Sequence, residues 1–138
     1  MKTQFKISNI RVVEEYDKVL PSFQGNFANI GQAVVNLIKN AFQALEGRGG
    51  TIFLTTRLDS ARGCAALTCK NTGSAIPHEI VKDLFKPFFT TKPVGQGTGL
   101  GLYVSHEIIK KHGGRITVRS EPGMGSAFTI EIPVSANG

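Results

Sequence analysis

The sequence predicts an α+β domain, a two-layer α/β sandwich with helices on one face of a mostly antiparallel sheet. Three observations carry that prediction. The chain of 138 residues is long enough for one real core without staples. Two stretches, one from Ile30 and one from Leu100, place apolar residues at helical spacing. The strand-like stretches come as neighbours joined by turns, so the sheet forms locally and the helices are left to cover it.

Taken in order, "FKISNIRVVEEY" alternates loosely and predicts one strand or two short ones. "LPSFQGN" is a turn. The first helix carries its apolar stripe on Ile30, Val34, Leu37, Ile38, Ala41, Ala44 and Leu45, and "GRGG" at 47–50 stops it. "TIFLTTRLD" and "CAALTCKN" read as paired strands joined by "SARG". Pro77 opens a short helix in "PHEIVKDLF". "KPFFTTKPVGQGTG" has no periodicity and is rich in Gly, Pro and Thr. That predicts a long loop, and long loops in compact domains tend to carry function. "LGLYVSHEIIKKH" is an amphipathic helix stopped by Gly113 and Gly114. "GRITVRSEPGMGSAFTIEIP" closes the chain as a strand, a turn and a strand.

Composition narrows the function classes. The chain is 41% hydrophobic and 19% charged, as soluble globular domains are. No apolar run approaches the roughly 20 residues of a membrane span, and no secretory signal stands at the start. A cytoplasmic domain, or the cytosolic part of a membrane-bound sensor, is expected. The net charge of +6 comes from dispersed Lys and Arg with no run of five like charges. This does not point to a nucleic-acid partner, and a nucleotide site needs only a few cations. Cys64 and Cys69 are an odd number of positions apart on one strand. They therefore face opposite ways and read as two reduced, partly buried thiols.

Four segments carry chemistry. On the first helix Gln32, Asn36, Asn40 and Gln43 fall within roughly 40° of Asn36, on a face about 140° from the apolar stripe. Asn is a poor helix former, so two of them one turn apart ask for a reason. A carboxamide oxygen can ligate Mg²⁺, and its N–H groups can hold a phosphate oxygen, without adding charge. Second, Gly95, Gly97, Gly99 and Gly101 feed a helix N-terminus, an arrangement suited to anions. No Lys-Ser/Thr follows, so this is not a P-loop, and no buried strand leads into it as in a dinucleotide fingerprint. Third, "NTGSAIP" puts a polar residue at a strand end before a glycine turn and a helix start. Fourth, "FKPFFTTK" sets Phe85, Phe88 and Phe89 in an exposed loop, which suits a lid, with Lys92 able to bring a cation to a phosphate.

In this order the four segments resemble the ATP-binding catalytic domain of sensor histidine kinases. They match its N box ("NLIKNAFQAL"), G1 box ("NTGSAIP"), F box ("FKPFFTTK") and G2 box ("GQGTGLGL"), and the tail from Lys110 to Pro133 is similar as well. The wider superfamily includes gyrase, the heat-shock chaperone ATPase and mismatch-repair ATPases. The resemblance implies a mixed, mostly antiparallel sheet, with ATP held between the helices and an ATP lid loop, and Mg²⁺ bound with it.

The resemblance also implies roles for particular residues. Asn40 is the metal ligand and Asn36 its neighbour one turn earlier, both grouped with Lys92 as catalytic, while Gln43 extends the row. Asn71, Gly73, Ala75 and Ile76 line the adenine end, with Ser126 joining through water. Phe85, Phe89, Thr90, Thr91 and Lys92 lead into the lid. Gly95, Gly97, Thr98, Gly99, Leu100, Gly101 and Leu102 bring the lid and the next helix's N-terminus to the phosphates. One position departs from the family pattern. The G1 box usually opens with Asp as "DxGxG", and here Asn71 and Ala75 replace the acid and the second glycine, which bears on base selectivity.

The expected function is binding of Mg·ATP and donation of its γ-phosphate to a histidine on a separate dimerisation domain, upstream of a response regulator. "SHEIIKK" superficially matches a phosphoacceptor box, but it lies in the helix after the G2 box and lacks the usual Pro. His106 is therefore expected to be a surface histidine, and His78 and His112 likewise bland. Residues 1–138 are expected to form a single ATP-binding domain, monomeric, without nucleic-acid or membrane contact and without its own acceptor domain. The rivals are a serine kinase of the anti-sigma-factor type and a non-catalytic nucleotide-binding module.

Overall fold

The computed structural model describes residues 2–7, 9–16, 27–59, 61, 63–73, 76–87 and 101–133. The opening segment forms two strands, β1 (Lys2–Ile7) and β2 (Ile10–Glu15), paired antiparallel. The helix α1 (Phe27–Leu45) then crosses to β3 (Gly50–Asp59), which runs parallel to β2. A crossover helix is the usual route between parallel neighbours. From there every pairing is antiparallel: β3 with β4 (Cys64–Asn71), β4 with β6 (Gly125–Pro133), and β6 with β5 (Arg115–Glu121). Among the described residues the sheet has six strands in the order β1-β2-β3-β4-β6-β5 and is mixed, mostly antiparallel, as expected. Between β4 and β5 lie the short helix α2 (His78–Val81), whose N-cap is Pro77, and α3 (Gly101–Lys111).

The core lies between the sheet and the two long helices. Ile30, Ala33, Leu37, Ala41 and Leu45 of α1 are buried against Ile52, Leu54, Cys69 and their neighbours, and Ile109 of α3 against Ile116, Phe128, Ile130 and Ile132. α1 covers β3 and β4, whereas α3 covers β5 and β6 and packs along α1. The helical spacing read from the sequence holds with one exception. Ala44, on the last turn of α1, is exposed, while Ala33 is fully buried. The reason is the helix–helix contact. The small side chain of Ala33 lets α3 approach, and the buried Ser105 hydroxyl donates to the Ala33 carbonyl at 3.1 Å.

Neither cysteine is in a disulfide, and both are buried, on opposite faces of β4. Cys69 faces the helices, with its thiol directed at the Leu37 carbonyl at 3.9 Å, and burial pushes its pKa up to about 12. Cys64 lies on the other face, 3.7 Å from a Glu131 carboxylate oxygen whose partner oxygen accepts from the Arg115 guanidinium at 2.7 Å. No described helix is long and apolar enough to cross a membrane.

Candidate functional site

The amide row of α1 meets the start of α3. Asn36 Nδ2 donates to the Gly101 carbonyl at 3.3 Å. Only the amide nitrogen can donate to a carbonyl, so the contact fixes which amide atom meets α3 and leaves Oδ1 outside it. Asn40 follows one helical turn later and is half-buried, whereas Gln43 is exposed. Gly101 is exposed, with open space where a Cβ would stand. Leu102 is half-buried against the core and holds the first turn of α3 down.

A second polar cluster forms where β4 and β6 end side by side. Asn71 is opposite Ser126 in the ladder, and both are buried, at 2% and 3% exposure. Asn71 Oδ1 accepts the Gly73 backbone N–H at 2.9 Å, an Asx turn. A backbone N–H requires an oxygen, so here it is Nδ2 that is left to face elsewhere. Thr72 bridges back to β3, its N–H donating to the Thr51 carbonyl at 3.1 Å and its hydroxyl accepting the Thr51 N–H at 3.0 Å.

Ser120 closes the other side of this cluster. Its hydroxyl accepts the Ile76 N–H at 2.6 Å, donates to the Gly125 carbonyl at 3.2 Å, and lies 3.2 Å from the Ser126 hydroxyl. Gly125 has φ +77°, and a methyl group on it would run into the Asn71 carbonyl, so no other residue fits the return of the hairpin here. The sequence reading named Asn71, Gly73, Ile76 and Ser126 but missed Ser120 and Gly125. Ser120 is one more alternating strand residue by pattern, and only the register of β5 against β6 brings it to Ser126.

The two clusters lie along one helix. A Cβ on Gly73 would come within 3.3 Å of the Ala44 carbonyl, so the G1 turn sits on the last turn of α1. Eight residues separate Asn36 from Ala44, a rise of about 12 Å. Neither cluster contains a charged side chain. Among the described residues no group of three or more His, Cys, Asp or Glu gathers to hold a metal ion. A cation at the amide row would thus be held by neutral oxygens.

Phe85 departs from the expectation of an exposed loop aromatic. It follows α2 through a series of turns and is half-buried against the core. Its ring stacks on the His106 imidazole, with centroids 5.4 Å apart and planes at 29°, and meets Phe128 edge-on at 6.3 Å. His106, expected as a surface histidine, keeps 38% of its side chain exposed while making this ring contact. It is half-buried, and its Nδ1 lies 4.0 Å from a Glu107 carboxylate oxygen. Of the expected site residues, Ala75, Phe89, Thr90, Thr91, Lys92, Gly95, Gly97, Thr98, Gly99 and Leu100 lie outside the described residues.

The fold is shared with known proteins. Residues 25–136 match the family described as histidine kinase-, DNA gyrase B- and HSP90-like ATPase. Sporulation kinase E of Bacillus subtilis (strain 168) is 35% identical over 138 residues, which is 99% of this chain and 18% of that protein. Sensor histidine kinase ZraS of Escherichia coli (strain K12) is 40% identical over 116 residues, 84% of this chain and 24% of that protein. The chain thus spans less than a quarter of the length of these two relatives. Among solved structures, a nucleotide-free catalytic domain of the histidine kinase ThkA superposes with a TM-score of 0.74 at 35% identity, covering 88% of this chain and 76% of that one. The chain belongs to the histidine kinase-, DNA gyrase B- and HSP90-like ATPase family and, within it, to the catalytic domains of sensor histidine kinases.

Proposed function

We propose that residues 1–138 form one domain that binds Mg·ATP and presents the γ-phosphate to a histidine on a separate dimerisation domain, in two-component signal transduction with a downstream response regulator. The observation that carries this reading is the pair of uncharged polar clusters about 12 Å apart along α1. That separation suits a nucleotide laid along the helix, its base at Asn71, Gly73 and Ser126 and its phosphates at Asn36, Asn40 and the start of α3. The buried Ser126, opposite Asn71 on β6, gives the base end a hydroxyl.

The amide row fits a magnesium ion. Mg²⁺ keeps several waters and takes its charged ligands from the substrate's phosphates, so neutral protein oxygens suffice. Asn40 would hold it, with the Oδ1 of Asn36 beside it. When bound, the metal supplies charge neutralisation on the phosphate oxygens. The chain's own residues supply position: Asn36 fixes the start of α3 against α1, and Lys92 and the glycines of the G2 box would bring N–H groups and a cation to the terminal phosphate. No side chain in the two described clusters can take up the histidine proton, so the general base belongs beside the acceptor. The same domain serves equally in a cytoplasmic kinase and in the cytosolic part of a membrane-bound sensor.

The test uses the chain with γ-labelled ATP, alone and with an added histidine-containing helical hairpin domain from a related kinase. Mg·ATP binding with no self-labelling, and acid-labile label on the hairpin, is the expected result. A second reading, a non-catalytic nucleotide module, is favoured by Asn71 in place of the family's usual acid. Mg·ATP binding without transfer to any acceptor histidine would establish it. Label that vanishes in a His106→Ala variant would make His106 an acceptor and refute the reading of α3.

A further inference from the structure

We propose that Ser120 is a positioning residue for the base end of the nucleotide site, and that it acts by taking the hydroxyl proton of Ser126 and so making Ser126 an acceptor there. The inference rests on the nucleotide reading above and deepens it, since that reading gives Ser126 a hydroxyl without saying which way its proton is directed.

Ser120 stands where the apolar pattern of β5 stops. Ile116 is buried, Val118 packs against the core, and Ser120 follows on the same face. A serine there adds little apolar area. It adds a hydroxyl, and three groups converge on it. Closing the hairpin calls only for the contact with Gly125. The contact with Ile76 reaches a segment 44 residues away in sequence, the one that leads from Asn71 to α2.

The proton count at Ser120 decides the direction. A hydroxyl has one proton and two lone pairs. The Ile76 N–H can only donate, so at 2.6 Å it occupies one lone pair. The Gly125 carbonyl can only accept, so at 3.2 Å it takes the proton. The second lone pair is what Ser120 offers to the Ser126 hydroxyl at 3.2 Å, and Ser126 is therefore the donor in that contact. With its proton directed at Ser120, the Ser126 oxygen meets any further donor with a lone pair. Asn71 lies opposite it in the ladder, with Oδ1 held by the Gly73 N–H and Nδ2 outside that turn. A donor and an acceptor thus stand on neighbouring strands at the base end. The pairing edge of a purine carries one of each, and it can meet them directly or through a bridging water.

The experiment is a double-variant cycle. Mg·ATP is titrated by calorimetry into the unsubstituted chain, Ser120→Ala, Ser126→Ala and the double variant, with a thermal melt of each. Each single substitution should weaken binding about fivefold, and the double variant should also lose about fivefold rather than the roughly 25-fold of independent losses. Unchanged affinity in Ser120→Ala overturns the proposal. Losses that multiply in the double variant overturn it as well, because Ser120 then supports the fold without acting through Ser126. If Ser120→Ala does not melt cooperatively, Ser120→Cys takes its place with the same two criteria, being close in volume and a weak hydrogen-bonding group. If the unsubstituted chain does not bind Mg·ATP, the nucleotide reading itself fails, and the proposal with it.

Discussion

Replacing Asn71 by Asp should sharpen the choice between ATP and GTP. Asn71 is 2% exposed, and its Oδ1 accepts the Gly73 N–H at 2.9 Å. Asp keeps that acceptor, so the turn survives the substitution. The group that changes is the other one: Nδ2, a donor, becomes a carboxylate oxygen, an acceptor. In the proposed site a donor there can bind the ring nitrogen of adenine or O6 of guanine, and so favours neither purine strongly. A carboxylate accepts from adenine's exocyclic amine and opposes guanine's O6. One hydrogen bond exchanged for one repulsion is worth at least about 1.4 kcal/mol, so the ratio of ATP to GTP affinity should rise about tenfold or more. Titrations of both variants with ATP, GTP and inosine triphosphate measure it. The inosine ligand carries the 6-oxo group without guanine's 2-amino group, which separates hydrogen bonding at position 6 from steric rejection at position 2. An ATP/ITP ratio that is the same in both variants would refute the reasoning and leave Asn71 with no part in selectivity.

Three other outcomes follow from the structure. Asn40→Ala should lose the Mg²⁺ dependence of nucleotide binding while its stability changes by no more than about 1 kcal/mol, since the residue is off the buried stripe; metal titrations and thermal melts check both halves. Gly125→Ala should cost on the order of 3 kcal/mol or more, from a positive φ and a clash with the Asn71 carbonyl, seen as a melting point lower by roughly 10 °C or an insoluble product. The Cys69 thiol, with its pKa pushed up to about 12, has a thiolate fraction near ~10⁻⁴ at pH 8, so iodoacetamide should leave it intact in the native protein and label it once urea unfolds the chain.

How far the sequence could be read depended on the range of the contact concerned. α1 was legible because its apolar period is local, and the β5–β6 hairpin because its turn residues are adjacent. Asn36 and Asn71 stood out because an amide is unusual on a helix face and at a strand end. Ala44 was misplaced because periodicity assigns a residue to a face without saying where along the helix a neighbour covers that face. Ser120, Gly125 and the contact of His106 with Phe85 were not legible. Each depends on a partner brought to it by register or by helix packing: Ser120 on Ser126, Gly125 on Asn71, His106 on Phe85. Phe85 of the F box looked exposed for the same reason, since nothing local predicts a ring from α3 against it.

The two site amides are oriented in opposite senses, and that decides which of them an acid could replace. A backbone carbonyl takes the nitrogen of Asn36, and a backbone N–H takes the oxygen of Asn71. Asn36 is left presenting oxygen where the proposed site holds a cation, and Asn71 is left presenting N–H where it holds the acceptor-rich edge of a purine. The same substitution, Asn to Asp, is therefore not equivalent at the two positions. At residue 71 it preserves the backbone contact and alters only the group turned to the ligand. At residue 36 it removes the donor that Gly101 accepts and sets a carboxylate against a carbonyl oxygen, so α3 loses a hydrogen bond to α1 before any ligand is considered. An acid is compatible with the turn at the base end and incompatible with the helix contact at the phosphate end. The structure thus leaves room for an acid at the first position and excludes it from the second.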